Sequence, residues 1–198
     1  MYASCRDKQE FGGRKMTTME HIESLSVNGK EYYILKLLGK GKGGYSYLAL
    51  DGDRRVVLKQ IHHEPCDYYS FGNKIEAEIN DYHRLQSVGI TLPRMIDVDI
   101  QQERIVKEYI DGKTVYEMVL YDELTLDCIS QVRKMCTLLY PAHINIDYFP
   151  TNFVLQDGTL YYIDYECNDY MEQWNFENWG IKYWSKSPDF LEYVKEHQ

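Results

Sequence analysis

The chain has 198 residues, of which 44% are hydrophobic and 14% aromatic, so it can bury a core in one compact domain or in two small lobes sharing a cleft. Its net charge of −9 disfavours a nucleic-acid binder, and no apolar run reaches the about 18 residues of a membrane helix. Five cysteines without a C-x-x-C pair indicate reduced thiols, so we expect a cytoplasmic protein with no direct nucleic-acid partner and no membrane partner. At the start of the chain, residues 1–19 are polar and are expected to form a flexible leader.

The next part of the chain is predicted to be rich in β-structure. Residues 31–61 alternate like strands, and Asp51-Gly52 between two apolar runs is a strong hairpin signal. Residues 73–87 have helical spacing, with Asn73 as a plausible N-cap. Two further strands are expected near 95–100 and 104–110.

Beyond Asp111-Gly112 the sequence becomes acidic and more helical. Helical spacing of apolar residues predicts a helix over 125–140. Two short strands are expected near 153–155 and 160–163, on either side of a turn. The three tryptophans are predicted to pack into a core near the end of the sequence: Trp174, Trp179 and Trp184.

A glycine-rich stretch lies inside the first β-region. Gly39, Gly41 and Gly44 form the pattern G-x-G-x-x-G, in which the absence of a Cβ lets backbone amides approach phosphate oxygens. The motif is weak by itself, but a β-hairpin follows it here. A dinucleotide-binding or Walker loop would instead open a helix. The context therefore favours a loop that folds over a nucleotide.

Lys59 ends an apolar strand 15 residues after this loop and needs a carboxylate to hold it. The helix over 73–87 offers Glu76 and Glu78. Glu78 falls on the apolar stripe of this helix, whereas Glu76 lies about 100° away. Because a charge on an apolar face is costly unless it is paired, we predict that Glu78 is the partner of Lys59.

Polar residues with a recognisable order follow in the second half of the chain. Asp147 is followed five residues later by Asn152, and Asp164 comes directly after an apolar strand. Such a set can supply a carboxylate that deprotonates an attacking hydroxyl and an amide and a carboxylate oxygen that hold Mg²⁺. In this order, after the glycine loop, Lys59 and Glu78, the set points to phosphoryl transfer.

From Leu38 to about Glu166 the chain resembles the protein-kinase superfamily. It looks most like compact predicted Ser/Thr kinases of bacteria and the small kinases of the KEOPS complex, while Asp164-Tyr165-Glu166 is also similar to aminoglycoside and choline phosphotransferases. The resemblance implies an α+β, two-lobed, protein-kinase-like fold. Residues 20–110 would form the N-lobe, and residues 111–198 a truncated, mainly helical C-lobe.

The resemblance also implies ATP and Mg²⁺ as cofactors and assigns roles to residues. Lys59 would bind the phosphates, Asp147 would be the catalytic base, and Asn152 and Asp164 would hold the metal. The adenine would bind the backbone carbonyl of Glu108 and the backbone amide of Ile110. The expected activity is transfer of the γ-phosphate to a Ser/Thr hydroxyl of a protein. A small-molecule kinase and an ATP-binding regulatory module with little chemistry stay open as alternatives.

Three residues depart from the kinase pattern. Asn145 stands where kinases usually have His, and Phe149 stands where many Ser/Thr kinases have Lys. Lys107 occupies the gatekeeper position beside the adenine pocket, which is usually apolar. Pairing with a carboxylate of the cleft is one interpretation of Lys107. The loss of the lysine at 149 favours the regulatory alternative.

Overall fold

The computed structural model describes residues 23–41, 43–64 and 73–197. The predicted leader therefore lies outside the described residues. The first part of the chain forms a six-stranded antiparallel sheet with the strand order β1-β2-β3-β4-β6-β5. The strands are β1 (Ser24–Val27), β2 (Lys30–Lys40), β3 (Gly44–Asp51), β4 (Arg54–Ile61), β5 (Met95–Asp99) and β6 (Arg104–Glu108).

The hairpin predicted from Asp51-Gly52 joins β3 to β4. Asp51 faces Arg54 across the turn, and Gly52 has a φ of 59°, a left-handed conformation that glycine adopts without steric cost. The turn fixes the register that brings Ser46 opposite Lys59. A local signal in the sequence thus sets the position of a central lysine of the sheet.

Helix α1 (Lys74–Ser87) lies between β4 and β5 in the chain and confirms the helix predicted over 73–87. The side chain of Asn73 accepts a hydrogen bond from the backbone amide of Glu76, so Asn73 is the N-cap as predicted. The buried face of α1 includes Ile75, Glu78 and Leu85. A glutamate therefore lies in the apolar contact between α1 and the rest of the protein.

The second part of the chain contains short helices and two small sheets. Its elements are β7 (Lys113–Thr114), α2 (Val115–Leu120), α3 (Leu126–Leu139), β8 (Ile144–Ile146), β9 (Phe153–Gln156), β10 (Thr159–Tyr162), β11 (Cys167–Asp169) and α4 (Pro188–His197). Strands β10, β9 and β7 form one antiparallel sheet, and β8 pairs with β11. Helix α3 confirms the helix predicted over 125–140, and its N-cap is Thr125. No helix among the described residues is long and apolar enough to cross a bilayer.

Two sets of buried side chains form the largest parts of the core. One lies within the six-stranded sheet and includes Val56, Leu58 and Val106. The other surrounds α2 and α3. The chain thus has the mixed α+β content that was predicted, with a curled antiparallel sheet compatible with a kinase-like fold. The division into two lobes at residue 110 stays a prediction.

The prediction for the tryptophans is confirmed only in part. Trp184 is buried, but Trp174 is half exposed and Trp179 is partly buried. Trp184 packs in the core against Phe153 and Phe176, whose ring centroids lie 5.0 and 5.3 Å from that of its indole. Among the described cysteines, the three thiols are free and buried, in agreement with the expected reduced state: Cys128, Cys136 and Cys167.

Candidate active site

Lys59 lies in β4, between β3 and β6, and its side chain reaches two carboxylates. Its Nζ is 2.7 Å from Oε2 of Glu78 and 3.9 Å from Oδ1 of Asp164. The side chains of Lys59 and Glu78 are only 12% and 9% exposed. Burial opposes the charged form of Lys59, but the two carboxylates outweigh it and raise the pKa of its ammonium. The lysine is therefore held as a cation beneath the surface.

The helical spacing distinguished the two glutamates of α1 correctly. Glu78 forms the ion pair with Lys59, whereas Glu76 is exposed in the first turn of the helix. Among the described residues, Oε1 of Glu78 is buried and has no hydrogen-bond partner. One oxygen of this carboxylate therefore holds Lys59, and the other is buried without a hydrogen bond to replace those that water would make.

Replacing Glu78 by Gln is expected to lower the free energy of unfolding by about 1.5–3 kcal/mol, because the buried ammonium of Lys59 loses the negative charge that compensates it. Glu76→Gln, an identical chemical change two residues away, is expected to lose only about 0.3–1 kcal/mol, the contribution of an acidic residue in the first turn of a helix. Urea denaturation of both variants measures the difference. Equal losses would contradict the assignment of Glu78.

Asp147 follows β8 and is half buried. Its Oδ1 accepts a hydrogen bond of 3.0 Å from the backbone amide of Phe149, and its own backbone carbonyl accepts one of 3.3 Å from Nδ2 of Asn152. Burial and the negative charge of Asp164 raise the pKa of the Asp147 carboxyl above its usual range. A raised pKa suits a carboxylate that accepts a proton.

Asn152 and Asp164 are brought together by the backbone. The amide of Ile163 donates a hydrogen bond of 2.9 Å to the carbonyl oxygen of Asn152, which places the two side chains on neighbouring segments. Burial opposes the ionised form of Asp164, but the positive charges of Lys59 and Lys107 outweigh it and lower the pKa of its carboxyl. Its side chain keeps 31% of its surface exposed, so it is an ionised carboxylate that a ligand can reach.

The glycine-rich stretch runs from the end of β2, which contains Gly39, to Gly44 at the start of β3, and its glycines differ in how close their neighbours lie. A Cβ on Gly44 would lie 2.5 Å from the carbonyl oxygen of Gln60, so the close contact with β4 requires glycine there. A Cβ on Gly39 or Gly41 would meet no atom within 4 Å and would project into open space. A Cβ on Gly43, which the motif does not include, would lie 3.7 Å from Nζ of Lys59. The loop backbone thus passes close to the ammonium of Lys59.

The predicted adenine contacts lie at the end of β6. This strand ends at Glu108, whose amide donates to the carbonyl of Arg94, and Ile110 is buried in the irregular segment that precedes β7. A Cβ on Gly112 would lie 2.0 Å from the carbonyl oxygen of Leu155, so this crossing of β9 requires glycine. The binding roles of Glu108 and Ile110 stay predictions.

Phe149 takes part in a cluster of aromatic rings. Its ring centroid lies 5.1 Å from that of Tyr183 and 4.6 Å from that of Tyr193 in α4. A side chain at this position therefore packs against the end of the chain instead of carrying a charge toward the cleft. Asn145, the other departure in this region, is buried and donates a hydrogen bond to the carbonyl of Met171.

The segment after β11 contacts the loop that carries Asp147. The sequence did not suggest this contact. The indole N–H of Trp184 donates a hydrogen bond of 2.8 Å to the carbonyl oxygen of Tyr148. A Cβ on Gly180 would lie 2.5 Å from Cβ of Tyr148, so the two backbones are in close contact. Contacts with the C-terminal segment therefore help to fix the position of the Asp147 loop.

Together these contacts connect the predicted residues of the site. Lys59 contacts Glu78 and lies near Asp164, while Asn152 connects the Asp147 loop to the segment of Asp164. Their catalytic and binding roles stay predictions. The arrangement offers the buried ammonium of Lys59 with its partner Glu78, the carboxyls of Asp147 and Asp164, and the amide of Asn152, next to a glycine-rich backbone.

Comparison with known proteins finds distant similarity to protein kinases. The chain is 25% identical over 151 residues to the dual specificity protein kinase Ttk of Danio rerio and 25% identical over 158 residues to TTK of Mus musculus. It is 28% identical over 158 residues to the probable serine/threonine-protein kinase mps1 of Dictyostelium discoideum. These alignments cover 72%, 76% and 72% of the chain.

The matched regions are small parts of the relatives, covering 15%, 18% and 16% of their lengths. A scan against models of known protein families finds no match. The distant similarities, extending over about 72% of the chain, support a place for it in the protein-kinase superfamily.

Proposed function

We propose that the chain is an ATP- and Mg²⁺-dependent kinase that transfers the γ-phosphate to a hydroxyl group. The observation that carries the proposal is the buried contact of Lys59 with Glu78, next to Asp164. In the proposed two-lobed arrangement, residues 20–110 and 111–198 border one cleft that holds the nucleotide. The buried thiols suit a reducing compartment, and we place the protein in the cytoplasm.

The residues present fit a nucleotide triphosphate and its metal. Gly39 and Gly41 leave open space where any other residue would place a Cβ, and Gly43 brings backbone close to the ammonium of Lys59. Phosphate oxygens could occupy such space, where the nearby ammonium of Lys59 would attract them. Asp164 and Asn152 would hold Mg²⁺, which prefers oxygen ligands. When bound, the metal would neutralise phosphate charge during transfer.

Each residue of the proposed site would make a separate contribution to binding or transfer. Lys59, kept charged by Glu78, would bind phosphate oxygens, and the end of β6 at Glu108 and Ile110 would orient the adenine. Asp147 would accept the proton of the attacking hydroxyl at its carboxylate. Its raised pKa favours this role, because the driving force for proton transfer increases with the basicity of the acceptor.

The names of the relatives support a protein hydroxyl as the acceptor, since they include a dual specificity protein kinase and a probable serine/threonine-protein kinase. A small-molecule hydroxyl is the second candidate. It is favoured by Asp164-Tyr165-Glu166 and by the net charge of −8 in residues 113–198, which would attract a cationic acceptor. The packing of Phe149 against Tyr183 and Tyr193 favours a third candidate, an ATP-binding module with weak transfer.

The experiment incubates the purified chain with Mg²⁺ and ATP labelled at the γ-phosphate, with either a Ser/Thr peptide library or a panel of amino sugars and amino alcohols. Label on peptide Ser or Thr supports the proposal, and label only in small molecules supports the second candidate. Binding of ATP without transfer to any acceptor supports the regulatory module. Failure to bind ATP in the presence of Mg²⁺ would overturn all three.

A further inference from the structure

Lys107 is a buried lysine to which the proposed chemistry assigns no role. It lies in β6, opposite Val57 of β4 and Met95 of β5, and is 6% exposed. Burying an ammonium group is costly unless polar groups compensate for the lost water. Among the described ion pairs, none joins Lys107 directly to a carboxylate, although its charge acts on the carboxyl of Asp164 from a greater distance. The expected direct pairing with a cleft carboxylate is therefore not seen.

The compensation for Lys107 comes from the segment that carries Asp164. Its Nζ donates a hydrogen bond of 2.7 Å to the carbonyl oxygen of Ile163 and lies 4.5 Å from the centre of the Tyr165 ring. A cation over an aromatic face is attracted to it, more strongly where water is excluded. Lys107 thus contacts both neighbours of Asp164.

Tyr165 is itself fixed from two other sides. Its hydroxyl donates a hydrogen bond of 2.7 Å to the carbonyl of Pro93, and its ring lies 4.8 Å from the ring of Tyr82 in α1. The backbone amide of Tyr165 donates to Oδ1 of Asp164 at 2.8 Å. The amide that orients Asp164 therefore belongs to a residue whose ring Lys107 contacts.

An apolar gatekeeper of similar length could not make these contacts. A methionine has no N–H to donate to Ile163 and no charge to place over Tyr165. An amine donates to a carbonyl whether or not it carries the extra proton, so the contact with Ile163 does not depend on the ionisation state. The geometry therefore gives a reason for lysine at position 107 that does not involve the adenine.

We propose that Lys107 is a positioning residue for Asp164, which fixes the residues on both sides of the carboxylate and thereby orients it toward Mg²⁺. The inference rests on the proposed function, because it takes Asp164 as the metal ligand. It predicts that Lys107 acts on the response of nucleotide binding to Mg²⁺ and has little effect on nucleotide binding without the metal.

The test measures the affinity for a fluorescent ATP analogue, first in EDTA and then as Mg²⁺ is added. For Lys107→Met we expect the Mg²⁺ concentration at half-maximal response to rise about tenfold, the size of loss typical when a group that orients a metal ligand is removed. The affinity in EDTA should change less than about twofold, and Lys107→Arg, which keeps a cationic donor, should recover much of the response. Lys134→Met, an exposed lysine of α3, is the matched control and should behave as the wild type.

If Lys107 had only a structural role, Lys107→Met would lower thermal stability and weaken nucleotide binding equally with and without Mg²⁺. That result would overturn the inference. An unchanged response of nucleotide binding to Mg²⁺ in Lys107→Met would overturn it as well. If Lys107→Met does not fold, Lys107→Gln provides the same test, because its amide is one bond too short to reach the same carbonyl. If nucleotide binding by the wild-type chain does not respond to Mg²⁺, this result would overturn the proposed function itself. A wild-type response to Mg²⁺ that Lys107→Met and Lys107→Gln retain would overturn only the role of Lys107.

Discussion

Asp147→Asn is expected to lower kcat for phosphoryl transfer by about 10²–10⁴-fold, because the variant keeps the shape of the side chain but removes the proton acceptor. The amide oxygen of Asn can still accept the hydrogen bond from the backbone amide of Phe149, so the loop should keep its conformation. The KM for ATP should therefore change little. Steady-state kinetics with the acceptor identified in the labelling experiment measures both constants.

Asp157→Asn provides the matched control, since Asp157 is exposed in a turn with a φ of 49° that Asn also adopts readily. It should leave kcat unchanged. The pH profile gives a second criterion. The pKa of Asp147 is raised, and the base acts only when deprotonated, so the wild-type rate should fall as the pH drops through this raised pKa. Asp147→Asn with a wild-type kcat would exclude Asp147 as the base.

Asp164→Ala is expected to abolish the gain in ATP affinity that Mg²⁺ provides. The carboxylate of Asp164 is the charged oxygen ligand of the proposed metal site, and Asn152 offers only a neutral amide oxygen. Lys59 keeps its contact of 2.7 Å with Glu78 in this variant, so binding of ATP without metal should persist. Calorimetric titration with ATP, with and without Mg²⁺, measures the two affinities.

Asp169→Ala is the control for this change, because Asp169 is an exposed carboxylate of β11 whose side chain forms an ion pair with Arg84. It should retain the full response to Mg²⁺. If Asp164→Ala also retains that response, the metal is held by other groups, and the assignment of Asp164 and Asn152 fails together.

The sequence predicted those parts of the fold that short-range rules determine. The Asp51-Gly52 turn, the Asn73 cap and the choice of Glu78 over Glu76 each follow from spacing within one element, and the structure agrees with them. Helix α2 was missed although its signal was present. Thr114 and Glu117 form a capping box, but the helix has only six residues, fewer than two turns, which is too short to show a helical period.

Other features could not be predicted because they depend on contacts between distant segments. Lys107 finds its hydrogen-bond acceptor 56 residues away, at Ile163. Trp184 was expected in a core, but nothing in its neighbourhood indicated that its N–H would bind the loop of Asp147. Gly43 lies inside the glycine-rich stretch, yet its closeness to Lys59 depends on the pairing of β3 with β4. Such relations require the tertiary arrangement, which local patterns do not encode.

The hydrogen bond from Trp184 to Tyr148 ties the loop that carries Asp147 to the C-terminal segment. The same indole ring packs against Phe153 and Phe176, so a shift of this one side chain would disturb both the core and the backbone next to Asp147. Order in the loop and order in residues 172–197 are therefore coupled.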